Sequence, residues 1–421
     1  MHRRASVRDV RIVQHVEASS RTMEGHAIFA TVEALCSFGA RWMGAQAVDR
    51  VKGFVSQEMA AIGLSLGRQK FRFRNYLLEE ARLRVLDAAG AARELVCEPV
   101  ACSRPVRTPL EAVLEAPPAA ATPGAVPPAP RHGTVHCLRG RDLQACYARA
   151  CAQGAAAAIL ATDLPGHAIR CVACSPDGGQ GLIPAVSISG HDALALFQQL
   201  GHSQPLRAVL DVRGGMREAA AENLLFALPG AIQPPALILA RYDSFWNGVH
   251  AMDGAAGLAL LLHLARELSW EAAWEGWRET LFCAAGAQTL GRFGEMACRD
   301  ALFRAGRAPG FVLELGALGG REGALEVAVS PAMASLCSRL QETAAASGVA
   351  VEAWRILPPD DPAVLLWKNI PYLRLADSHG DPLRHTPLDV PSRLSQDGLA
   401  RAARLGREFT RLLCDTETTP F

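Results

Sequence analysis

The sequence predicts an α/β protein, and three stretches predict it. Ala236–Ala240 is an unbroken apolar run of the kind a buried strand needs, and it leads through a loop into a long apolar helical pattern from Gly254 onward. Residues 17–100 alternate helical and strand-like patterns, and residues 101–212 repeat the alternation in an order of their own. Open α/β sheets take their ligands at the carboxyl ends of parallel strands, facing helix N-termini. A site is therefore expected around Asp243 and Asp253, with Asp253 placed to N-cap the apolar helix.

Composition narrows the class. The chain has 421 residues, enough for a large core and two domains. Half of the residues are hydrophobic, one fifth are charged and the formal net charge is +1. That balance gives no footprint for nucleic acid. The apolar runs after Asp253 are too short to cross a bilayer, so no membrane role is expected. No apolar run follows the basic start Met1-His2-Arg3-Arg4, so a cytoplasmic location is expected. Twelve cysteines include the pair Cys171-Val172-Ala173-Cys174. A CxxC can hold a structural metal or form a disulfide, but no second CxxC follows at zinc-ribbon spacing. Cys171 and Cys174 are carried as a weak separate metal site, with packed thiols as the plainer reading.

Along the chain, Ala27–Gly39 and Ala47–Gly63 carry apolar residues at helical spacing. Arg68–Phe73 and Ala81–Leu86 read as two strands. Residues 115–133 hold six prolines among alanines, which prevents regular structure and predicts a surface loop near a domain junction. Gly133–Leu138 reads as a strand, Asp142–Gly154 as a helix, Ala155–Leu160 as a strand, Ile183–Ser189 as another and His191–Leu200 as a helix.

Several of these stretches also resemble one family. Arg241-Tyr242-Asp243-Ser244 and Val249 to Gly257 are similar to the His-x-Asp-Ser strand end and Gly-Ala-x-Asp-x-Ala-x-Gly helix start of the two-zinc aminopeptidases and glutamate carboxypeptidases. Gly39-Ala40-Arg41 resembles their N-terminal Gly-Ser-Arg turn, and Asn223 to Gly230 their Asn-Val-x-Ala-x-Leu-Pro-Gly strand. The order of residues 101–212 resembles the protease-associated domain inserted in that family. The resemblance implies a mixed β-sheet sandwiched by helices, formed by residues 1–100 and 213–421. Residues 101–212 would be a β-rich insertion that supplies lid or substrate contacts.

The same resemblance locates the family's metal ligands, and their identities differ here. Arg241 stands at the position of a zinc-binding His, and Asp253 keeps the bridging Asp. Gln288 and Thr289 stand where the family has a general-base Glu and a ligand Glu. Glu314 supplies a carboxylate at a ligand position, and His385 keeps the closing His-Thr-x-x-Asp motif. A guanidinium cannot ligate a cation. Arg241 is therefore expected to place its own charge between Asp253 and Glu314, where zinc would be. Gln288 cannot take a proton from water, so hydrolysis by the family mechanism should fail. His250, His263 and His379 match no ligand position and read as structural or surface residues.

Three functions follow. The first is a pseudopeptidase with its metal site lost and no cofactor, kept to bind a peptide, an amino-acid derivative or a protein partner, and open to homodimer formation. The second is a metal-independent enzyme that uses Arg241, Asp243, Asp253, Gln288, Thr289, Glu314 and His385 for acyl transfer, condensation or cyclisation. The third is a zinc peptidase whose missing ligands come from Glu295 or another carboxylate. One helical turn displaces a ligand by roughly 5 Å, beyond metal-bond reach, which weighs against the third.

Overall fold

The computed structural model describes residues 23–116, 133–164, 166–175, 177–201, 205–270, 277–321, 324–378 and 382–414. Most of the loop expected at 115–133 lies outside them, as does His379.

The N-terminal part is α1 (23–37), α2 (Gln46–Ala61), β1 (Gly67–Leu86), β2 (Ala92–Leu95), β3 (Glu98–Pro99) and β4 (Leu110–Glu115). A parallel α/β unit follows, made of β5 (Val135–Arg139), α3 (Leu143–Ala152), β6 (Ala157–Ala161), β7 (Ala185–Ile188) and α4 (Gly190–Gly201). Then come β8 (Leu206–Leu228), β9 (Ile232–Arg241), α5 (Ala256–Ser269), β10 (Arg278–Ala285), α6 (Phe293–Arg304) and β11 (Phe311–Leu315). The chain closes with β12 (Leu325–Val329), α7 (Cys337–Ala346), β13 (Val351–Ile356), α8 (Pro362–Leu366), β14 (Tyr372–Asp377) and α9 (Gln396–Cys414).

The described strands join into one mixed sheet, ordered β13-β12-β14-β11-β9-β10-β8-β4-β5-β6-β7-β3. β14, β11, β9 and β10 run parallel at its centre. β8 is antiparallel to β10 and long enough to continue into the second unit, where it pairs with β4. β1 runs beside β8 from Gly67 to Leu86, so the two strands expected at Arg68–Phe73 and Ala81–Leu86 are one. The stretch between them, Arg74 to Glu80, stays extended because residues 213–218 of β8 pair with it, with an irregularity at Leu78/Glu80.

Separate apolar clusters match the two ends of the sheet. α5 packs against the central strands with ten buried residues, among them Leu258, Leu260, Leu261 and Leu264. Each buried Leu is worth about 1.5–3 kcal/mol of transfer free energy, so this helix anchors the larger core. It lies close to the sheet: a Cβ on Gly257 would meet the Leu315 carbonyl oxygen at 2.7 Å. The second unit packs Leu138, Leu160 and their neighbours on one face, in a cluster shared with Trp42, Tyr76, Phe245 and Leu290, and Val135, Ile159, Val186 and Leu196 on the other. The latter core also takes in Leu83, Val85 and Leu95, which precede residue 101.

Candidate functional site

Parallel strands carry the site residues to one edge of the sheet. Arg241 is the last paired residue of β9, level with Ala285 of β10. Glu314 lies near the end of β11, between Leu239 of β9 and Arg374 of β14. Asp253 arrives from a wide helical turn at Ala251–Ala255, where it and Gly254 leave helical geometry. Gly254 takes φ 123°, a value that glycine tolerates and side-chain-bearing residues do not. Asp253 is therefore not the N-cap of α5. Ala255 occupies that position without a side-chain bond, which leaves the Asp253 carboxylate to other partners.

Three buried residues hold this frame. Arg41 donates from Nε to the Tyr242 carbonyl (3.0 Å), from Nη1 to that of Val249 (2.6 Å) and from Nη2 to that of His250 (3.1 Å). The Asp389 carboxylate accepts the backbone N–H groups of Met252 (2.8 Å) and Asp253 (3.2 Å). Asp243 accepts those of Gln288 (3.0 Å) and Thr289 (2.9 Å), so its carboxylate shapes the loop after β10. Asp243 is thus a positioning residue.

The site has two ends. At the first, the Arg241 guanidinium pairs with Asp253 Oδ1, and Arg384 Nη2 approaches the same oxygen at 3.0 Å. His385 Nε2 lies 2.7 Å from Asp253 Oδ2 but outside hydrogen-bond alignment. Burial, then the nearby Arg384, brings the Arg241 guanidinium down to about 10, still charged at neutral pH. Burial, followed by Arg384 and Arg241, pushes His385 well below the usual imidazole range and keeps it neutral.

At the second end every charged group is answered. Glu314 accepts from Arg292 Nη2 (2.7 Å), Arg374 Nε (3.2 Å) and the Tyr372 hydroxyl. Burial pushes the Glu314 carboxyl up, but Arg292 and Arg374 outweigh it and hold the carboxylate well below its ordinary range. Glu295 accepts from Arg292 Nε (2.6 Å), Trp367 Nε1 (2.5 Å) and Gln288 Nε2 (3.1 Å), and its own N–H donates to Gln288 Oε1 (3.1 Å). Arg241 therefore does not bridge Asp253 and Glu314: each carboxylate has its own arginines.

The second unit covers the first end. Cys171 N–H donates to the His385 carbonyl (2.8 Å), and Asn247 Nδ2 donates to the carbonyls of Ile169 (3.1 Å) and His385 (3.0 Å). Arg170 Nη2 donates to the Pro382 carbonyl, and Trp246 Nε1 to Glu98 Oε2 (2.7 Å). A cavity of about 330 Å³ remains beneath, lined by Arg170, Cys171, Arg241, Phe245, Thr289 and His385 among others.

Of the seven residues read from the sequence, the structure brings Arg241, Thr289 and His385 to the cavity wall with Asp253 paired to Arg241. Asp243 lies beneath the loop, and Gln288 and Glu314 belong to the second end. Arg384, Arg170, Arg292, Arg374 and Tyr372 were missed as site residues, and Asp389 was read only as the last residue of the His-Thr-x-x-Asp motif. Arg384 and Arg170 each precede a residue that the sequence did single out, His385 and Cys171, but nothing in their spacing marks them. His250 is buried and meets Asn247 Oδ1 at 3.0 Å, and His263 meets Glu24 at 3.1 Å, so both are structural.

The donors present do not fit a pair of zinc ions. Asp253 is engaged by two guanidiniums, Glu314 by two more, and Glu295 is enclosed by Arg292, Trp367 and Gln288. Among the described residues no three His, Cys, Asp or Glu side chains converge as metal ligands do. Cys171 and Cys174 are both packed in the apolar cluster of the second unit. Burial raises the Cys171 thiol well above its usual range, and Cys174 hydrogen bonds with Cys102. A metal takes the thiolate, which burial disfavours at Cys171, whereas the Cys102 contact lowers Cys174 instead.

No protein-family model matches the sequence, and no curated protein matches it. Solved structures do match the fold. A zinc aminopeptidase from Bacillus subtilis superposes with TM-score 0.71 at 21% identity, covering 94% of this chain and 97% of the other. A peptidase M28 precursor from Shewanella amazonensis gives 0.76 at 16% identity, covering 97% and 99%. An aminopeptidase from Aneurinibacillus sp. strain AM-1 gives 0.64 at 19%, covering 95% and 97%. The fold is that of the zinc aminopeptidases: a large mixed sheet flanked by helices.

Proposed function

We propose that this chain is a catalytically degenerate zinc-peptidase homologue whose metal site has been replaced by arginine–carboxylate pairs, retained to bind a ligand in the cavity beside Arg241. The observation that carries this is the Arg241–Asp253 pair. A permanently charged guanidinium sits on the carboxylate that would bridge two metals, and Arg384 adds a second charge to it. Gln288, at the position of the general base, spends both ends of its amide on Glu295 and cannot accept a proton at neutral pH. The class of ligand follows from the sequence reading: a peptide, an amino-acid derivative or a protein partner. No helix of the described residues is long and apolar enough to cross a membrane.

Elemental analysis of the purified full chain tests the proposal. The expected result is zinc well below one equivalent, unchanged in His385→Ala. Stoichiometric zinc that His385→Ala removes would overturn it and restore a metallopeptidase reading.

A second reading has its own observation. His385 is neutral and close to Asp253, and the Thr289 hydroxyl beside the cavity is buried without a partner, so an acid–base group and a hydroxyl share one pocket. Metal-independent acyl transfer would use such a pair. A reaction rate that collapses in both His385→Gln and Thr289→Val would favour it, whereas ligand binding without turnover favours the first reading.

A further inference from the structure

Resting on the reading of this pocket as a binding site without metal, we propose that the cavity under the second unit takes the compact oxyanion of a small molecule, a carboxylate or a phosphate, clamped by Arg241 and Arg384 with Arg170 at the mouth.

Counting charges leads to it. Arg241 and Arg384 converge on a single oxygen of Asp253, and Arg170 reaches the same cavity from the other unit. Asp389 and Asp377 also face Arg384, and Asp243 and Glu314 face Arg241, but the cavity wall itself carries Arg141, Arg170 and Arg241 against one carboxylate, Asp142, which accepts from the Ala145 N–H. Three guanidiniums against one carboxylate give the cavity a positive lining in a partly dry pocket, where an anion gains more than it would in water.

Hydrogen-bond donors show the same imbalance. Arg384 Nε and Thr289 Oγ1 are buried and have no partner, although buried donors are nearly always satisfied. Thr289 lines the cavity, and Arg384 stands behind its wall on Asp253, the partner of Arg241. A planar carboxylate or a tetrahedral phosphate presents several acceptors at once, which suits guanidinium forks better than any neutral ligand would. Phe245, tilted at 59° to His385 with ring centroids 5.0 Å apart, gives the remainder of the molecule an apolar wall. A ligand recognised by a cationic amine would meet the wrong charge.

Calorimetric titration of the full chain, dialysed against EDTA, with N-acetylglycine, inorganic phosphate and glycine methyl ester is the test. One of the two anions should bind and the cationic ester should not; which anion binds identifies the source of the oxyanion. Arg384→Gln should weaken that binding at least tenfold. Asp253→Asn, by removing the competing carboxylate, should tighten it about threefold. Circular dichroism checks that each variant is folded, and Arg384→Lys, which keeps the charge but loses the fork, should lose about as much if the glutamine variant is unstable. No binding of either anion to metal-free wild-type protein, or binding indifferent to the Arg384 variants, overturns the inference and leaves the proposed function standing. Anion binding present only before EDTA, alongside bound zinc, overturns both.

Discussion

The two ends of the site began from the same requirement, carboxylates at the edge of a sheet, and meet it differently. Around Glu314 and Glu295, Arg292, Arg374, Tyr372, Trp367 and Gln288 satisfy the buried oxygens, and the result is a closed network. Around Asp253 the arginines outnumber the carboxylates, donors stay unpartnered, and a cavity adjoins them. A fully satisfied buried network rigidifies the fold, whereas an unsatisfied one marks a place where something else completes it. The first kind belongs to stability; the second is where the proposed ligand would complete the network.

Stability measurements can break that comparison, and the largest effect is expected at Glu295. Glu295→Ala leaves Arg292 and the Trp367 indole without their shared acceptor, and losing one partner of a buried pair costs about 3–5 kcal/mol. Asp253→Asn should cost less, about 1–2 kcal/mol, because the Arg241 and Arg384 side chains are 24% and 38% exposed and water screens part of the charge left behind. Urea denaturation of the two variants checks this. Equal losses would mean that the two ends do not differ in kind.

Glu314 sharpens the comparison through pH. Its folded carboxyl is held below the unfolded value of 4.5, so its contribution is complete above that pH and fades as pH falls through the folded value. Glu314→Gln should therefore cost about 2–3 kcal/mol at pH 7. The gap in urea midpoint from wild type should narrow as the buffer is taken below pH 4.5. A gap that stays constant would show that the arginines are not what stabilises this end.

The smallest effect is expected from Gln288→Glu. It sets a second carboxylate beside Glu295, where the amide now donates, and should cost about 1 kcal/mol by like-charge repulsion. For the same reason the combination Arg241→His, Gln288→Glu and Thr289→Glu should take up fewer than two zinc equivalents, since Glu314 stays bound to Arg292 and Arg374. Two full equivalents by elemental analysis would show that the second end is readily reopened.

Much of the frame was legible because its signals are local. The apolar run of β9, the helical spacing of α1 and α2, and the strand–helix order of the second unit are short-range patterns that survive without tertiary context. Patterns decided by a distant partner were not legible. β1 read as two strands because the pairing that carries its middle through comes from β8, more than a hundred residues away. Asp253 read as a helix cap because a carboxylate before an apolar helix usually is one, and only the turn at Gly254 redirects it.

The sequence by itself determined which groups stand at the edge of the sheet. Arg241 can bind no metal and Gln288 can act as no base wherever the fold places them, since a guanidinium and an amide lack the needed lone pair or basicity. Tertiary structure alone decided how those groups are paired. Arg292, Arg374, Arg384 and Arg170 come from four separate segments, and charge pairing depends on distances of a few ångströms that no residue order records. For that reason the expected arginine bridge between Asp253 and Glu314 is instead two independent sets of pairs, one sealed and one open.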